Sequence, residues 1–414
     1  MSTTPDTTAE SSAARSSPAG ARAGGGERQR LPLFALLALA TAVFLTSLTE
    51  TLPAGLLPAM SADLGVSESA AGQTVTIYAI GTAVTAIPLT AATSGWPRKR
   101  LLLTAMAGFA VANTVTAVSS DYALTAVARF LAGTAAGLAW ALLAGYARRL
   151  APVALQGRAI AVAMAGIPVA LSLGVPAGTF LGSTAGWRVA FLSMTGLTVL
   201  LLVWITAIVP DHPGHEPGRG PGLLRAARVP GVPAVLSVTL FFVLAHTVLY
   251  AYIAPFLDDV GLGGSTDLVL LCFGLASLLG VWAVGALIHR RLRSLTVLST
   301  LLVAVAATLL ALYARDEAAV YAASALWGLG WGGVPTLLQT AAGDAGGEQA
   351  DGAQAMLVTL WNLAMAAGGV LGGVLLDVYG SGSFPWAVLL LLVPVLVVVV
   401  AARGHGFPGR RNAA

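Results

Sequence analysis

The chain is cut into apolar runs of about twenty residues by breaks that are mostly short, and this pattern limits what it can become. Twelve runs are read, at 31–58, 70–93, 101–119, 122–146, 158–182, 187–209, 233–257, 267–288, 294–313, 318–341, 353–376 and 384–402. A helix rises about 1.5 Å per residue, so roughly 20 apolar residues cross the hydrocarbon core of a bilayer. Inside lipid each backbone polar group needs a partner within its own segment, which selects helices for runs of this kind. Composition agrees. Of the residues, 57% are hydrophobic and only 10% charged, whereas a soluble domain carries about 25% charged residues. The expectation is an all-α membrane protein with about twelve transmembrane helices.

The charged residues give the orientation. All but Arg129, Arg188 and Arg315 of the 22 Lys and Arg side chains lie in the two tails or in the even-numbered breaks. The odd-numbered breaks instead carry Asp63, Glu68, Asp121, Asp258, Asp259 and Asp267. Basic residues mark the cytoplasmic side, so both termini are expected there, in a multi-pass protein of the cell (inner) membrane. The tenth break, with Asp344, Glu348 and Asp351, is the exception. The net charge of +4 is scattered in short clusters between apolar runs, which argues against a nucleic-acid partner. One cysteine, Cys272, excludes an internal disulfide and a cysteine-based metal cluster. No phosphate-cradling loop is present. His212 and His215 share a Gly/Pro-rich break with Asp211 and Glu216, a poor setting for a metal. No metal, cofactor or enzymatic activity is expected.

Residues 1–30, rich in Ser, Ala, Gly and Thr, read as a disordered tail. The long Gly/Pro-rich break at 210–232 reads as a cytoplasmic linker between six-helix bundles at 31–209 and 233–402, and 403–414 as a second tail. The halves echo each other. LLPAMSADLGVS around Pro58 parallels IAPFLDDVGLGG around Pro255. Gly133 and Gly137 on the fourth run match Gly328 and Gly332 on the tenth. Two equally oriented six-span halves fit parallel repeats about an axis normal to the membrane.

The motifs then carry a resemblance over nearly everything after residue 30. RFLAGTAAGLAWALLAGYARRLAP (129–152), with a membrane-embedded Arg129, resembles the fourth-helix motif of the major facilitator superfamily. AGIPVALSLGVPAGTFLGSTAGWRVAF (165–191) resembles the fifth-helix antiporter motif of its bacterial drug-efflux and arabinose-efflux-like proton antiporters, with Gly166, Gly174, Pro176 and Gly178. The resemblance implies the two-bundle major facilitator fold, alternating access and a proton gradient as energy source. One departure is clear. The loop Ser94-Gly95-Trp96-Pro97-Arg98-Lys99-Arg100 keeps the basic part of the family's motif but lacks its Asp.

Glu50 is the anomaly of the first run, a carboxylate followed at once by Pro53, Gly55 and Pro58. An acid in mid-membrane costs about 2.5–3.5 kcal/mol on insertion scales. Placed late in a run ending near 58, Glu50 falls in the outer half, and so does Arg129. The two can relieve each other's burial and exchange a proton. The plainer alternative is that Glu50 reaches the headgroups and Arg129 snorkels. His246, near the middle of the seventh run, aligns with Thr49 when Pro255 is set on Pro58, and is the third proton-coupling candidate. Tyr78, Asn113, Trp140, Tyr250, Trp327, Trp331, Gln339 and Asn362 are cavity candidates, each taken singly more readily read as a packing residue or an interface anchor. Gly174, Gly178 and Gly182, with Gly166 and the bend at Pro176, form a small-residue ridge suited to close packing and to a rocking interface between halves. Arg98, Lys99 and Arg100 form a basic cytoplasmic loop. The leading expectation is a monomeric, proton-coupled exporter of a small amphipathic molecule. The alternatives are a proton-symport importer of a sugar or metabolite, and a membrane sensor or scaffold that moves nothing.

Overall fold

The computed structural model describes residues 31–93, 95–152, 155–213 and 223–408. The 1–30 tail, and His215 and Glu216 of the linker, lie outside the described residues. Described residues form helices joined by short turns, with no strand among them. Ten helices are long and apolar enough to cross a membrane. The other two expected positions are helical as well. Glu68–Ala92 fills the second, and Glu317–Gly332 followed by Val334–Gly346 fills the tenth. The end of the bundle that carries the chain termini is called the terminal end, and the opposite one the far end.

Three boundaries depart from the sequence reading, each for a local reason. The first span runs as one helix, Leu33–Leu64, straight through Pro53 and Pro58. It stops at Gly65, whose φ of 65° is costly for other residues. The seventh span ends early, at Tyr250, and restarts as Ile253–Asp259. Pro255 cannot donate to the carbonyl of Ala251, so the helix breaks there. The eighth and ninth spans run into each other as Thr266–Tyr313, divided only by the non-helical Arg291.

The repeat read from the glycines is built into the packing. A Cβ on Gly133 would sit 2.9 Å from the carbonyl carbon of Tyr78, and a Cβ on Gly328 the same 2.9 Å from that of Phe273. One turn further on, the Thr82 hydroxyl donates to the carbonyls of Tyr78 and Gly133, and the Ser277 hydroxyl to that of Phe273. The second span thus meets the fourth as the eighth meets the tenth. Helices in lipid have little hydrophobic drive to associate, so this close backbone approach, open only to glycine, is a main source of cohesion.

The fifth span is not a simple helix. It runs as Gln156–Met164, Gly166–Val169, a π-helical turn Ala170–Gly174 and Val175–Ala185. Pro176 has no N–H for the carbonyl of Ser172, and the N–H of Val175 bonds one residue further back, to Ala170. The glycine ridge faces the first span rather than the opposite half. Gly166 lies against Ala40 and Phe44, Gly174 against Phe44, Gly178 against Leu52, and Gly182 against Leu56. The contact between halves is made instead by Leu171 and Ser172, whose backbone lies against Gly274 of the eighth span.

At the far end the halves are also latched through Tyr252, which is fully buried at the break in the seventh span. Its ring fills a slot floored by Gly72 of one half and Gly372 and Gly373 of the other, 2.7 Å from where a Cβ on Gly372 would stand. Its hydroxyl donates to the carbonyl of Gly369 (2.8 Å). The Gln73 amide donates to the same carbonyl (3.2 Å) and to the Tyr252 hydroxyl (3.1 Å).

Candidate functional site

Because the first helix continues to Leu64, Glu50 stands near its middle rather than near its outer edge. It is partly exposed, although its neighbours Leu48, Thr49 and Leu52 are buried. Arg129 of the fourth span (Tyr122–Leu150) faces it and is 0% exposed. The guanidinium lies 4.9 Å from the ring centre of Tyr78 and 5.9 Å from that of Phe191. Its Nε–H donates to the carbonyl of Thr74 at 3.4 Å, while both terminal nitrogens are buried without a hydrogen-bond partner. Glu50 and Arg129 attract each other electrostatically without forming an ion pair at contact distance. An ion pair at contact distance is made by Arg188 with Asp63, at the far end, where the Trp187 indole also donates to Asp63.

The third span brings Asn113 beside this pair. Its amide donates to the Thr49 hydroxyl at 3.2 Å, and its Oδ1 is buried without a partner. Tyr78 is buried beneath Arg129 and donates to the carbonyl of Thr46, so it supports the arginine rather than lining open space.

The opposite half contributes an aromatic cluster. His246 is partly exposed and lies face to face with Trp331, ring centres 3.5 Å apart and planes 5° apart. Tyr250 stacks on it at 5.0 Å, and the Trp327 N–H donates to His246 Nδ1 at 3.2 Å. An indole N–H only donates, so Nδ1 is the acceptor and the imidazole proton sits on Nε2. Phe273 closes one side, and Trp361 of the eleventh span (Ala350–Tyr379) packs on Trp331 with ring centres 5.7 Å apart. The Tyr250 hydroxyl is buried at the boundary of the two groups, within electrostatic reach of Glu50. The structure thereby gathers Glu50, Arg129, Tyr78 and Asn113 on one side and His246, Tyr250, Trp327 and Trp331 on the other.

Other sequence candidates show no hydrogen bond or ring contact to this gathering among the described residues. Asn362 bonds back to the carbonyl of Val358 in its own helix, Trp140 packs half-buried against the core of the first half, and Gln339 is exposed. Trp361, Gln73 and Tyr252 escaped the sequence reading. Tyr252 and Gln73 had a signal, the glycine pairs at 368–369 and 372–373, which call for something large to fill the space they leave.

The basic loop is also completed from elsewhere. Asp211, just past the sixth span, accepts from the backbone N–H of Lys99 at 3.0 Å and of His212 at 2.8 Å. The first N–H groups of a helix have no partner within it, and Asp211 satisfies one at the start of Arg98–Val118. Lys99 Nζ donates to the carbonyl of Thr206 at 2.8 Å, and Arg100 lies over the Trp96 ring. A carboxylate absent from the loop itself is thus supplied by the end of the sixth span.

Comparison with known proteins settles the family. The family model for the Major Facilitator Superfamily matches residues 39–353. The chain belongs to the major facilitator superfamily. The chloramphenicol efflux pump MT0201 of Mycobacterium tuberculosis is 32% identical over 83% of this chain and 86% of its own length. The transcription regulatory protein OpdE of Pseudomonas aeruginosa is 29% identical over 90% and 95%. The purine ribonucleoside efflux pump NepI of Escherichia coli K12 is 29% identical over 88% and 93%. The solved human organic anion transporter MFSD10 (TETRAN) matches in fold with a TM-score of 0.66 at 18% identity, over 89% of this chain and all of that one. In this major facilitator protein, the membrane-embedded acid and arginine of one half thus face the aromatic group of the other.

Proposed function

We propose that the protein exports a small molecule in exchange for protons, by alternating access between its two halves. The observation that carries this reading is Glu50, mid-helix and partly exposed, within electrostatic reach of the fully buried Arg129. A carboxylate at membrane depth is retained against a cost of a few kcal/mol, and by default marks an ion or proton path. Arg129 attracts the charged form of Glu50, and the partly exposed side of Glu50 gives a proton a way in and out.

The far-end latch of Tyr252 with Gln73 and Gly369, and the Gly274 contact, describe a state closed at the far end. With the termini cytoplasmic, this is the state in which cargo enters from the cell. Loss of the Glu50 proton to the cytoplasm then accompanies cargo binding. After the halves rock, protonation of Glu50 from outside releases the cargo. The two relatives named as efflux pumps support the outward direction.

Everted vesicles test the proposal. Chloramphenicol and purine ribonucleosides are the first cargoes to try, and Glu50→Gln should abolish uptake driven by a pH gradient. Full gradient-driven uptake by that variant would overturn the role of Glu50. The OpdE relative supports a second reading, a membrane protein that signals without transport. Proteoliposomes that show no cargo-dependent proton flux with any compound in a broad screen would favour it.

A further inference from the structure

The charged side chains deep within the described spans are Glu50 and Arg129, one of each sign. When Glu50 is ionised Arg129 balances its charge, and when it is protonated it carries none, so a permanently cationic molecule entering between the halves would lose its water shell and find no uncompensated carboxylate. The side chains facing this pair are instead aromatic, with Tyr250, Phe273, Trp327 and Trp331 buried and His246 and Trp361 partly exposed. The Trp327 N–H occupies His246 Nδ1 at 3.2 Å and leaves the ring proton on Nε2. Nε2 makes no hydrogen bond with the described residues, and the His246 ring is only partly buried. The groups facing His246 are Tyr250 from its own helix, Phe273 from the eighth span, and Trp327 and Trp331 from the tenth. None of these carries a charge that would draw a second proton onto the ring. Glu50 reaches the cluster only by way of Tyr250.

We propose that the cargo is an uncharged molecule bearing a flat aromatic ring and a hydrogen-bond acceptor, the acceptor received by His246 Nε2–H and the ring by the partly exposed Trp361 beside the cluster. On this assignment His246 recognises cargo and keeps its single proton through the cycle, while proton exchange stays with Glu50. The inference rests on the reading of this central group as the cargo site. It is tested by equilibrium binding, which needs no proton gradient. Loss of gradient-driven export with binding intact would count against proton exchange and not against the cargo class.

The probes are chloramphenicol and inosine, both neutral and ring-bearing, and ethidium, which is flat but permanently cationic. Each is titrated into the detergent-purified full-length protein. At least one neutral probe should bind, with ethidium about tenfold weaker or worse. His246→Phe keeps a ring but removes the donor, and should weaken the neutral probe about five- to tenfold, as for one lost hydrogen bond. His246→Gln offers an amide donor and should recover most of that loss, and a thermal melt of both variants separates binding from misfolding. In a Glu50→Gln background the assignment requires binding to be flat between about pH 5.5 and 8, because no charged neighbour draws a second proton onto His246. Ethidium bound as tightly as the neutral probes, absence of binding by both neutral probes, or unchanged affinity in His246→Phe would overturn the proposal. So would a pH transition in Glu50→Gln that vanishes when His246→Gln is added.

Discussion

In the N-terminal half the carbonyl of Tyr78 rests on Gly133, and the residue one turn before that glycine is Arg129. In the C-terminal half the carbonyl of Phe273 rests on Gly328, and the residue one turn before it is Ser324, whose hydroxyl bonds back to the carbonyl of Val320. Setting Pro58 on Pro255 places Glu50 opposite Thr247, which likewise satisfies itself on the carbonyl of Val243. The third and seventh residues of the turns after Arg129, Ala132 and Ala136, correspond to Trp327 and Trp331. One backbone arrangement has therefore been filled twice. One copy holds Glu50 and the buried Arg129, the latter against Tyr78 and Phe191, the other self-satisfied hydroxyls and a larger cluster of rings. The backbone contacts are shared because they hold the bundle together. On the proposed assignment, the side chains differ because a proton and a cargo ask for different chemistry.

The comparison breaks most sharply at the buried charge. Arg129→Met would leave Glu50 without its counter-charge, at a cost of about 3 kcal/mol or more in stability. Its counterpart Ser324→Ala should cost under about 1 kcal/mol. Thermal unfolding of the two purified variants checks this, and equal losses would mean that the Arg129 charge is not buried against Glu50.

Next come the shared glycines. Gly133→Ala and Gly328→Ala each push a Cβ into a neighbouring carbonyl and should each cost about 1–3 kcal/mol. Similar losses in both would support the repeat at the level of packing, whereas a loss in only one would limit it to the sequence. The latch should respond more mildly. Tyr252→Phe removes the hydroxyl that joins Gly369 to Gln73, worth about 1 kcal/mol. That shifts the balance between far-end-closed and far-end-open states about fivefold, readable as faster labelling of a cysteine introduced at Thr76, which is buried against Gly369. The smallest effect is expected at Asp211→Ala, about 0.5–1 kcal/mol for a lost helix cap, measured as a lower melting temperature.

The helices and the glycine matches were legible in the sequence because each follows from a local rule of length or backbone approach. The depth of Glu50 was not. Pro53 and Pro58 read as the end of a span, yet the helix continues to Leu64, since a proline within lipid-embedded helices is tolerated where neighbours support the backbone. The facing of the glycine ridge was also hidden. Spacing shows that Gly174, Gly178 and Gly182 share one side of a helix, but not that the first span covers it. Asp211 could not be matched to the loop it completes, because 112 residues separate it from Lys99. Trp361 carries no pattern of its own and gains meaning only from Trp331 beside it.

The central claim is that the proton belongs to Glu50 in one half and the cargo to His246 in the other. Proton release on cargo binding tests it most directly, measured with a pH indicator dye in weakly buffered detergent solution of the purified protein near neutral pH. The account predicts that the wild type releases protons when cargo is added and that His246→Gln, at saturating cargo, releases the same amount. Glu50→Gln should bind cargo and release none. Release that persists in Glu50→Gln, or disappears in a cargo-saturated His246→Gln, would contradict it.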